Sequence, residues 1–398
     1  MEDNIARARE EIRNRILSQV DLTRETDDEE LSDLIRNEVI AFGHDRSLSL
    51  MDRLSLEREI FNSLRKLDIL QELLDDDEIT EIMINSPRDI FIEKRGEIKR
   101  LEKSFSSEEK LSDVIQQIVA ENNKVVNESV PIVDTRLSDG SRVNIVLSPI
   151  AIDHSILSIR RFPNEIITME KLISLGSLSR EVAGFLSRIV KAKYNIFLSG
   201  GTSSGKTTFL GALTEYIDRD ERVITIEDSA ELRVIDIDNL VRLEARSANL
   251  EGRLEITIRD LIKTSLRLRP DRIIVGEVRG AETLDMLQAC NTGHDGSLST
   301  GHANSNEDML SRLETMVLMG MELPVSAIRQ QIASGIDILI HLGRLRDRSR
   351  KLLEVSEVVG MKDGEIELST LYSYDANEGV WKKRNELIHT KKMSLAGF

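Results

Sequence analysis

The sequence contains a glycine-rich segment whose residue types suit the binding of a phosphate chain. Residues 200–207 read GGTSSGKT and match G-x-x-x-x-G-K-[ST] between an apolar run and a helical pattern. Glycines let such a loop curl so that backbone N–H groups converge on phosphate oxygens at the positive end of the next helix. The residues predicted to bind the nucleotide are Gly201, Thr202, Ser203, Ser204, Gly205, Lys206, Thr207 and Thr208.

Three side chains of this loop have individual predicted roles. Lys206 is expected to reach the β- and γ-phosphates, the Thr207 hydroxyl to bind Mg²⁺, and Thr208 to contact the α-phosphate. A chance match to the pattern should arise in about one or two chains per hundred of this length at average residue usage. The flanking strand and helix make chance rarer still, so the predicted ligands are ATP and Mg²⁺.

Two acidic segments follow the loop. Residues 272–277 form an apolar run that ends in Glu277, which can orient the water shell of the metal, although the aspartate usual in this strand is absent. Residues 224–232 place Glu227 and Asp228 after another apolar run, at the strand end where α/β folds bind ligands. One carboxylate is expected to deprotonate or align water and another to position Mg²⁺, with plain solvation as the alternative. Which one is the base stays open.

A glycine-rich polar segment, residues 292–303, carries His294 and His302. We predict it to be a loop outside the core. The two histidines lack the spacing of a helical metal site and have no cysteine or close carboxylate pair beside them, so zinc is the less favoured alternative. An imidazole that bonds the γ-phosphate while ATP is present makes either histidine a candidate sensor.

The elements that must position these residues follow an α/β pattern. From residue 176 onwards, strand and helix runs alternate as in a parallel sheet covered by helices, and the tail adds an antiparallel pair at 352–359 and 365–370. The predicted division is a helical N-terminal segment (1–66, a bundle or docking arm), a small α+β domain (67–162), a linker (163–175) and an ATPase domain (176–398). Capping boxes are predicted at residues 26–29 and 106–109.

The composition and charge of the chain limit the kinds of partner that it is expected to bind. The 398 residues carry a formal net charge of −16 and only 4% aromatics, which disfavours direct binding of a nucleic acid backbone or stacking on its bases. The basic run at 344–351 is expected to be a solvated surface, with docking to anionic lipid or an acidic partner as the alternative.

The compartment follows from what the sequence lacks. Cys290 is the single cysteine, so the chain forms no internal disulfide and no multi-cysteine zinc site. The first residues do not have the basic-then-apolar order of a signal peptide, and no apolar run approaches the roughly 20 residues that span a bilayer. We therefore expect a cytoplasmic protein.

Four segments occur in a characteristic order: the phosphate loop, the acidic segment, the Gly-Glu strand and the histidine segment. In this order and in their residues, they resemble the secretion ATPase superfamily of type II and type IV secretion and type IV pili. A finer resemblance is to the CpaF-like, Tad-type pilus assembly ATPases. It rests on VRGAE at 278–282, ITEIMIN at 79–85, VDTR at 133–136 and DGSRVN at 139–144. The resemblance covers about residues 67–372. The chain lacks the four-cysteine module of many type II members, which favours the Tad and type IV secretion branches.

The resemblance implies a RecA-like P-loop motor domain with a smaller N-terminal α+β domain, assembled as a homohexamer. ATP would lie between a subunit's two domains, and small-domain arginines would close over the phosphates. The candidates are Arg136, Arg142, Arg160 and Arg161, with Arg242 and Arg246 further candidates for the site or ring contacts. The implied partner is an inner-membrane platform protein, through which the ATPase would be peripheral to the membrane.

Mg²⁺-dependent ATP hydrolysis that drives pilus assembly or protein secretion is thus the predicted function. Within the superfamily, the alternatives are a conjugation-type traffic ATPase and a pilus retraction motor. From a different class, a nucleotide-gated scaffold with little turnover would need a broken acidic segment or missing arginines, and neither is seen. A DNA translocase is opposed by the charge and by the scarcity of aromatics.

Overall fold

The computed structural model describes residues 2–19, 26–46, 48–94, 96–161, 166–246 and 255–398. The chain divides into two compact units, Met1–Glu165 and Ile166–Phe398, and each unit has its own sheet. Across the described ranges, no helix combines the length and the apolar character needed to cross a bilayer.

The first unit begins with three helices that pack on one another. They are α1 (Glu2–Gln19), α2 (Asp28–Arg46) and α3 (Leu50–Arg65). Apolar residues at helical spacing, such as Ile12, Ile16, Ile35 and Ile60, are fully buried between them. The helices therefore form a small bundle with a core of its own.

The rest of the first unit is a six-stranded antiparallel sheet with two helices. Its elements are α4 (Ile69–Leu74), β1 (Ile79–Ser86), β2 (Asp89–Lys94), β3 (Glu97–Arg100), α5 (Glu108–Glu121), β4 (Ile132–Arg136), β5 (Arg142–Val146) and β6 (Ile156–Arg160). The strand order is β3-β2-β1-β6-β5-β4. The helices cover a core that includes Leu70, Ile82 and Ile115.

Both predicted capping boxes were wrong, because each helix is capped one residue later than predicted. The N-cap of α5 is Ser107, whose hydroxyl accepts a hydrogen bond from the Lys110 backbone N–H at 3.2 Å. At α2, the side chain of Asp27 accepts from the Glu30 N–H at 2.7 Å, while Thr26 is buried. Each segment offers two adjacent residues able to cap, and the sequence does not distinguish between them.

The second unit is built on a nine-stranded sheet. Its elements are α6 (Met169–Ser174), α7 (Arg180–Lys191), β7 (Ile196–Gly200), α8 (Lys206–Thr214), β8 (Arg222–Glu227), β9 (Asn239–Glu244), α9 (Ile258–Ser265), β10 (Arg272–Val275), α10 (Glu282–Asn291), β11 (Leu298–Gly301), α11 (Asn306–Gly320), α12 (Val325–Gly335), β12 (Ile338–Arg344), β13 (Arg350–Lys362), β14 (Glu365–Asp375), β15 (Val380–Lys383) and α13 (Lys391–Leu395). Helix α6 lies within the predicted linker, of which residues 163–165 are outside the described residues.

The strand order is β15-β14-β13-β12-β7-β11-β10-β8-β9. The six strands from β12 to β9 are parallel, and β13 to β15 add antiparallel strands at one edge. Alternate residues of β7 face opposite sides: Ile196 and Leu198 join the core under α7 and α8, and Phe197 joins the core under α10 to α12. Helices thus cover both faces of the parallel part.

The prediction of a loop at residues 292–303 was wrong in part, because residues 298–301 form the strand β11. Its four residues are buried and pair with β7 on one side and β10 on the other. The Thr300 hydroxyl donates a hydrogen bond to the Gly276 carbonyl at 2.8 Å. Small side chains such as Ser299 and Thr300 fit a central strand, which the composition of the segment did not reveal.

Candidate active site

The phosphate loop connects β7 to α8 at the C-terminal edge of the parallel strands. A Cβ on Gly200 would lie 2.5 Å from the Leu342 carbonyl oxygen, so only glycine fits there. Gly205, at φ +93°, is the N-cap of α8, and no side chain of the described residues caps this helix. The first N–H groups of α8 are therefore available to a phosphate group.

Lys206 begins α8, and its ammonium is turned back onto the loop. Nζ donates hydrogen bonds to the carbonyls of Gly200 (3.1 Å) and Gly201 (3.0 Å) and to Nδ1 of His302 (3.2 Å). Burial lowers the pKa of Lys206, and the charge of Glu277 opposes that shift. Because these acceptors are neutral, the ammonium is held in place without a direct counter-ion.

His302 joins Lys206 to Glu277. Its Nδ1 accepts from Lys206, so in the neutral ring the proton is assigned to Nε2, which lies 2.9 Å from Oε1 of Glu277. Burial and the charge of Lys206 lower the pKa of His302, which favours this neutral form. The predicted sensor position therefore lies between the phosphate loop and the carboxylate.

Arg279 continues the line of contacts on the other side of Glu277. It donates from Nη2 to Oε2 of Glu277 at 2.7 Å and from Nη1 to Oδ2 of Asp228 at 3.2 Å. One continuous polar chain thus runs through Lys206, His302, Glu277, Arg279 and Asp228. Lys206 begins α8, and the other four follow the ends of β11, β10 and β8. The structure brings together four predicted residues and adds Arg279, which was not predicted for the site.

Glu227 lies beside this polar chain and is 3% exposed. Its Oε1 accepts the backbone N–H groups of Glu231 (2.9 Å) and Leu232 (2.7 Å). Oε2 accepts no hydrogen bond from the described residues, and Nη2 of Arg242 is 3.9 Å away. Burial raises the pKa of Glu227 to about 7 against the opposing backbone hydrogen bonds. A carboxylate with this pKa and one unpaired oxygen can accept a proton near neutral pH.

The side chains present are compatible with a hard cation bound together with a nucleotide. Among the described residues, no group of three or more His, Cys, Asp or Glu side chains could hold a metal ion alone. Two buried carboxylate oxygens, Oε2 of Glu227 and Oε1 of Glu277, lack an aligned hydrogen bond within the described part of the chain. Glu277, the half-buried Thr207 and the exposed Asp228 supply the oxygen donors that Mg²⁺ prefers, phosphates and water can complete its shell, and Oε2 of Glu227 is left to accept a proton.

Other predicted residues lie outside this cluster. His294 is at the N-terminal end of β11, where its Nδ1 is 3.2 Å from the Ala289 carbonyl. A four-residue strand spans about 13 Å, so β11 separates His294 from His302. Thr208 is exposed on α8, and Arg246 lies past β9 in an isolated bridge with Ile256. Of the two candidate sensors, only His302 lies at the site.

The small-domain arginines are described within the first unit. Arg136, Arg142 and Arg160 are aligned across β4, β5 and β6, with Arg142 opposite both of the others. Nε of Arg160 is 3.9 Å from Oε1 of Glu81. Arg161 is mostly buried and donates to the Ile79 carbonyl at 3.2 Å, so its side chain holds the fold. We call the three aligned side chains the arginine row.

Sequence reasoning missed a residue that touches the loop and a polar network beneath it. Nε of Arg350 donates to the Ser203 carbonyl at 3.0 Å. Under the loop, the Ser199 hydroxyl lies 3.0 Å from Oδ1 of Asn306 and 2.8 Å from Nδ1 of His341. These partners are 100 or more residues apart in sequence, so no local pattern could have signalled them.

Gly276 offers a test of the Glu227 position. A Cβ there would lie 2.9 Å from Cγ of Glu227, whose carboxylate is fixed by two backbone hydrogen bonds. We expect Gly276→Ala to displace Glu227 and to lower kcat by about 10- to 100-fold. The matched control is Gly280→Ala, whose Cβ would meet only a Glu282 oxygen at 3.4 Å. Equal kcat values in a steady-state ATPase assay of the two variants would contradict the role of Glu227.

The chain is similar to known proteins in sequence and in fold. A family model described as type II/IV secretion system protein matches residues 63–380. A putative conjugal transfer protein of Mycobacterium tuberculosis is 32% identical over 332 residues, which covers 80% of this chain and 94% of that protein. The type IV secretion system protein VirB11 of Brucella abortus is 30% identical over 304 residues, 69% of this chain and 84% of that protein. The crystal structure of the pilus retraction motor PilT with bound ADP is similar in fold, with a TM-score of 0.53 at 20% identity over 83% of this chain and 86% of that one.

Proposed function

The chain belongs to the type II/IV secretion system protein family and is one of its ATPases, and from this premise we propose a Mg²⁺-dependent motor that drives pilus assembly or protein secretion. The observation that carries the proposal is the polar chain, in which the loop lysine, a histidine and a strand-end carboxylate are in contact. The imidazole of His302 contacts both Lys206 and Glu277. Such an arrangement suits a cycle of ATP binding, ATP hydrolysis and product release.

The proposed chemistry assigns one task to each side chain. Lys206 exchanges its contacts with the loop carbonyls for contacts with β- and γ-phosphate oxygens. Nδ1 of His302 then loses the hydrogen bond that Lys206 donates to it. Glu227 accepts the proton of the attacking water, and Glu277 orients the water shell around the phosphates. Thr207 and Asp228, with Glu277 through water, would hold Mg²⁺, and the ion would supply positive charge that offsets the charge of the phosphates.

We propose that the arginine row closes over the phosphates in a ring of six subunits. The three arginines are aligned across neighbouring strands, and guanidinium groups in a row can bind the oxygens of an anionic ligand. An arginine aimed at the developing charge of phosphoryl transfer contributes about 10³ to 10⁵ in rate. Arg136, Arg142 and Arg160 are therefore the residues proposed to complete the site on assembly.

The proposed partner is a platform protein of the inner membrane, with the ATPase on the cytoplasmic face and peripheral to the membrane. The net charge of −16 argues against direct contact with nucleic acid. A type IV secretion traffic ATPase is the second candidate, because the relatives include a conjugal transfer protein and VirB11. The Tad-type pilus role rests on the wording of the segments at 79–85, 139–144 and 278–282.

ATPase rate against protein concentration, with light scattering on the same samples, tests the ring. We expect the rate per subunit to rise as a six-fold particle forms, because the arginine row completes each site only on assembly. The triple variant Arg136→Ala/Arg142→Ala/Arg160→Ala should form the same particle and hydrolyse ATP at least about 10³-fold more slowly. A monomer with undiminished turnover would refute the ring, and full activity in the triple variant would refute the arginine assignment.

A further inference from the structure

Arg350 contacts the phosphate loop from a part of the chain to which the proposed function assigns no role. We propose that Arg350 is a positioning residue that holds the phosphate loop in its nucleotide-binding shape. The affinity for the phosphate chain of ADP and ATP would then depend on the β12–β13 hairpin. This inference deepens the proposed function, since it rests on nucleotide binding at the loop.

Sheet topology brings the hairpin to the loop. β12 runs parallel to β7, and Leu342 is paired with Gly200, the last residue of β7. β12 ends at Arg344, which is paired with Arg350, the first residue of β13. Two hydrogen bonds close the turn. The N–H of Leu345 donates to the Ser349 carbonyl at 2.8 Å, and the N–H of Arg348 donates to the Leu345 carbonyl at 2.9 Å. Arg350 therefore returns to the sheet edge at which the loop begins.

Two contacts join Arg350 to the loop. Its Nε donates to the Ser203 carbonyl at 3.0 Å across 147 positions of sequence. Its Cδ lies 3.3 Å from the point where a Cβ on Gly205 would be, so the aliphatic stem packs on the glycine at the N-terminus of α8. The side chain thus contacts the loop through both its stem and its guanidinium.

The bond acts on a loop peptide with an uncommon backbone conformation. Ser203 has φ +58°, a left-handed conformation that a non-glycine residue keeps only when its surroundings enforce it. In a trans peptide the C=O and the following N–H point in opposite directions, so fixing the Ser203 carbonyl on Arg350 also fixes the Ser204 N–H. That N–H makes only a long bond of 3.4 Å to the Gly201 carbonyl, which leaves it available to a phosphate oxygen.

Charge acts in the same direction. Arg350 is exposed and bonds the loop, and a positive charge beside a binding site raises the local concentration of an anionic ligand. The basic run expected to be a solvated surface therefore includes one arginine, Arg350, that contacts the phosphate loop.

The test compares Arg350→Ala and Arg350→Lys with Arg346→Ala, a matched control on the exposed turn of the same hairpin. Calorimetry would give the Kd for ADP and for adenosine, and steady-state assays the KM and kcat for ATP. We expect Arg350→Ala to weaken ADP binding about 10-fold or more, to raise KM in proportion and to leave kcat and adenosine binding nearly unchanged. Arg350→Lys should restore only part of the affinity because a lysine lacks the fixed guanidinium geometry. Arg346→Ala should stay within about 2-fold of the original Kd.

The possible failures are distinguishable. Equal ADP affinity in Arg350→Ala and the original protein would overturn the inference and leave the ATPase function intact. A fall in kcat at constant Kd would also overturn it, because a positioning role predicts the reverse. An original protein that neither binds ADP nor hydrolyses ATP would overturn the proposed function itself. If Arg350→Ala unfolds, the Kd and KM of Arg350→Lys decide between the same outcomes.

Discussion

Replacing Glu277 by Gln is expected to reduce kcat for ATP hydrolysis by about 10²- to 10³-fold while the affinity for ADP stays within a few-fold of the original. Glu277 contacts the two side chains on either side of it, His302 at 2.9 Å and Arg279 at 2.7 Å. A glutamine has the same shape, but it carries no charge and its NH₂ group faces a donor on one of these two sides. The polar chain would therefore be broken without loss of the phosphate loop.

The measurement separates chemistry from binding. Steady-state kinetics would give kcat and KM, and calorimetry the Kd for ADP. Glu322→Gln, which changes an exposed carboxylate, is the charge-matched control and should behave as the original protein. Lys206→Ala should lose ADP affinity as well as kcat, because its ammonium would bind phosphate in the ground state. Full turnover in Glu277→Gln would remove this carboxylate from the catalytic residues.

The largest expected effect on stability is at Arg272, a fully buried residue at the other end of β10. Its Nε and Nη2 donate to the two carboxylate oxygens of Glu221 at 2.9 and 2.8 Å, and Nη1 donates to the Val190 carbonyl at 2.8 Å. Nζ of Lys193 lies 3.0 Å from Glu221. Arg272→Met leaves Glu221 buried without its main partner. We therefore expect the free energy of unfolding to fall by about 3–5 kcal/mol.

Denaturant unfolding measured for a double-mutant cycle checks this value. Arg272→Met/Glu221→Leu should recover most of the loss, since no charge is then left buried. Burial raises the pKa of Glu221, but the hydrogen bonds and charges of Arg272 and Lys193 lower it overall, below its ordinary 4.5. A lowered folded-state pKa gives stability that is complete above pH 4.5 and is lost as the pH falls through the folded value. A loss for Arg272→Met that stayed below 1 kcal/mol at neutral pH would contradict the buried-pair argument.

The site residues that could be predicted from the sequence are those whose positions depend on local chain geometry or on the ends of parallel strands. Lys206 and Thr207 lie within one eight-residue loop, so their placement needs only local chain geometry. Glu227 and Glu277 end parallel strands, and such ends meet at one edge of the sheet, which let their proximity be expected. The contact of Glu277 with His302 required knowledge of the strand order.

The parts that were not predictable depend on register and burial over long distances. Choosing between His294 and His302 required recognition of β11, whose four residues have the composition of a loop. Arg160 and Arg161 are neighbours in sequence, yet only Arg161 turns inward to bond the backbone of β1. Arg350 reaches the loop only because the β12–β13 hairpin has one particular length. These features arise from tertiary contacts, which override local residue preferences.

The position of β11 between β7 and β10 has a consequence for how relatives can diverge. Its two ladders of hydrogen bonds fix His302 at once to the strand of the loop and to the strand of Glu277. One extra residue in 298–302 would shift the imidazole from both neighbours together and reverse the face of each side chain. At the far edge, Oδ1 of Asn195 accepts the N–H groups of Gly296 and Ser297 at 2.8 and 3.0 Å, so the entry to β11 is fixed as well. The spacing from Gly296 to His302 should therefore stay constant among natural relatives.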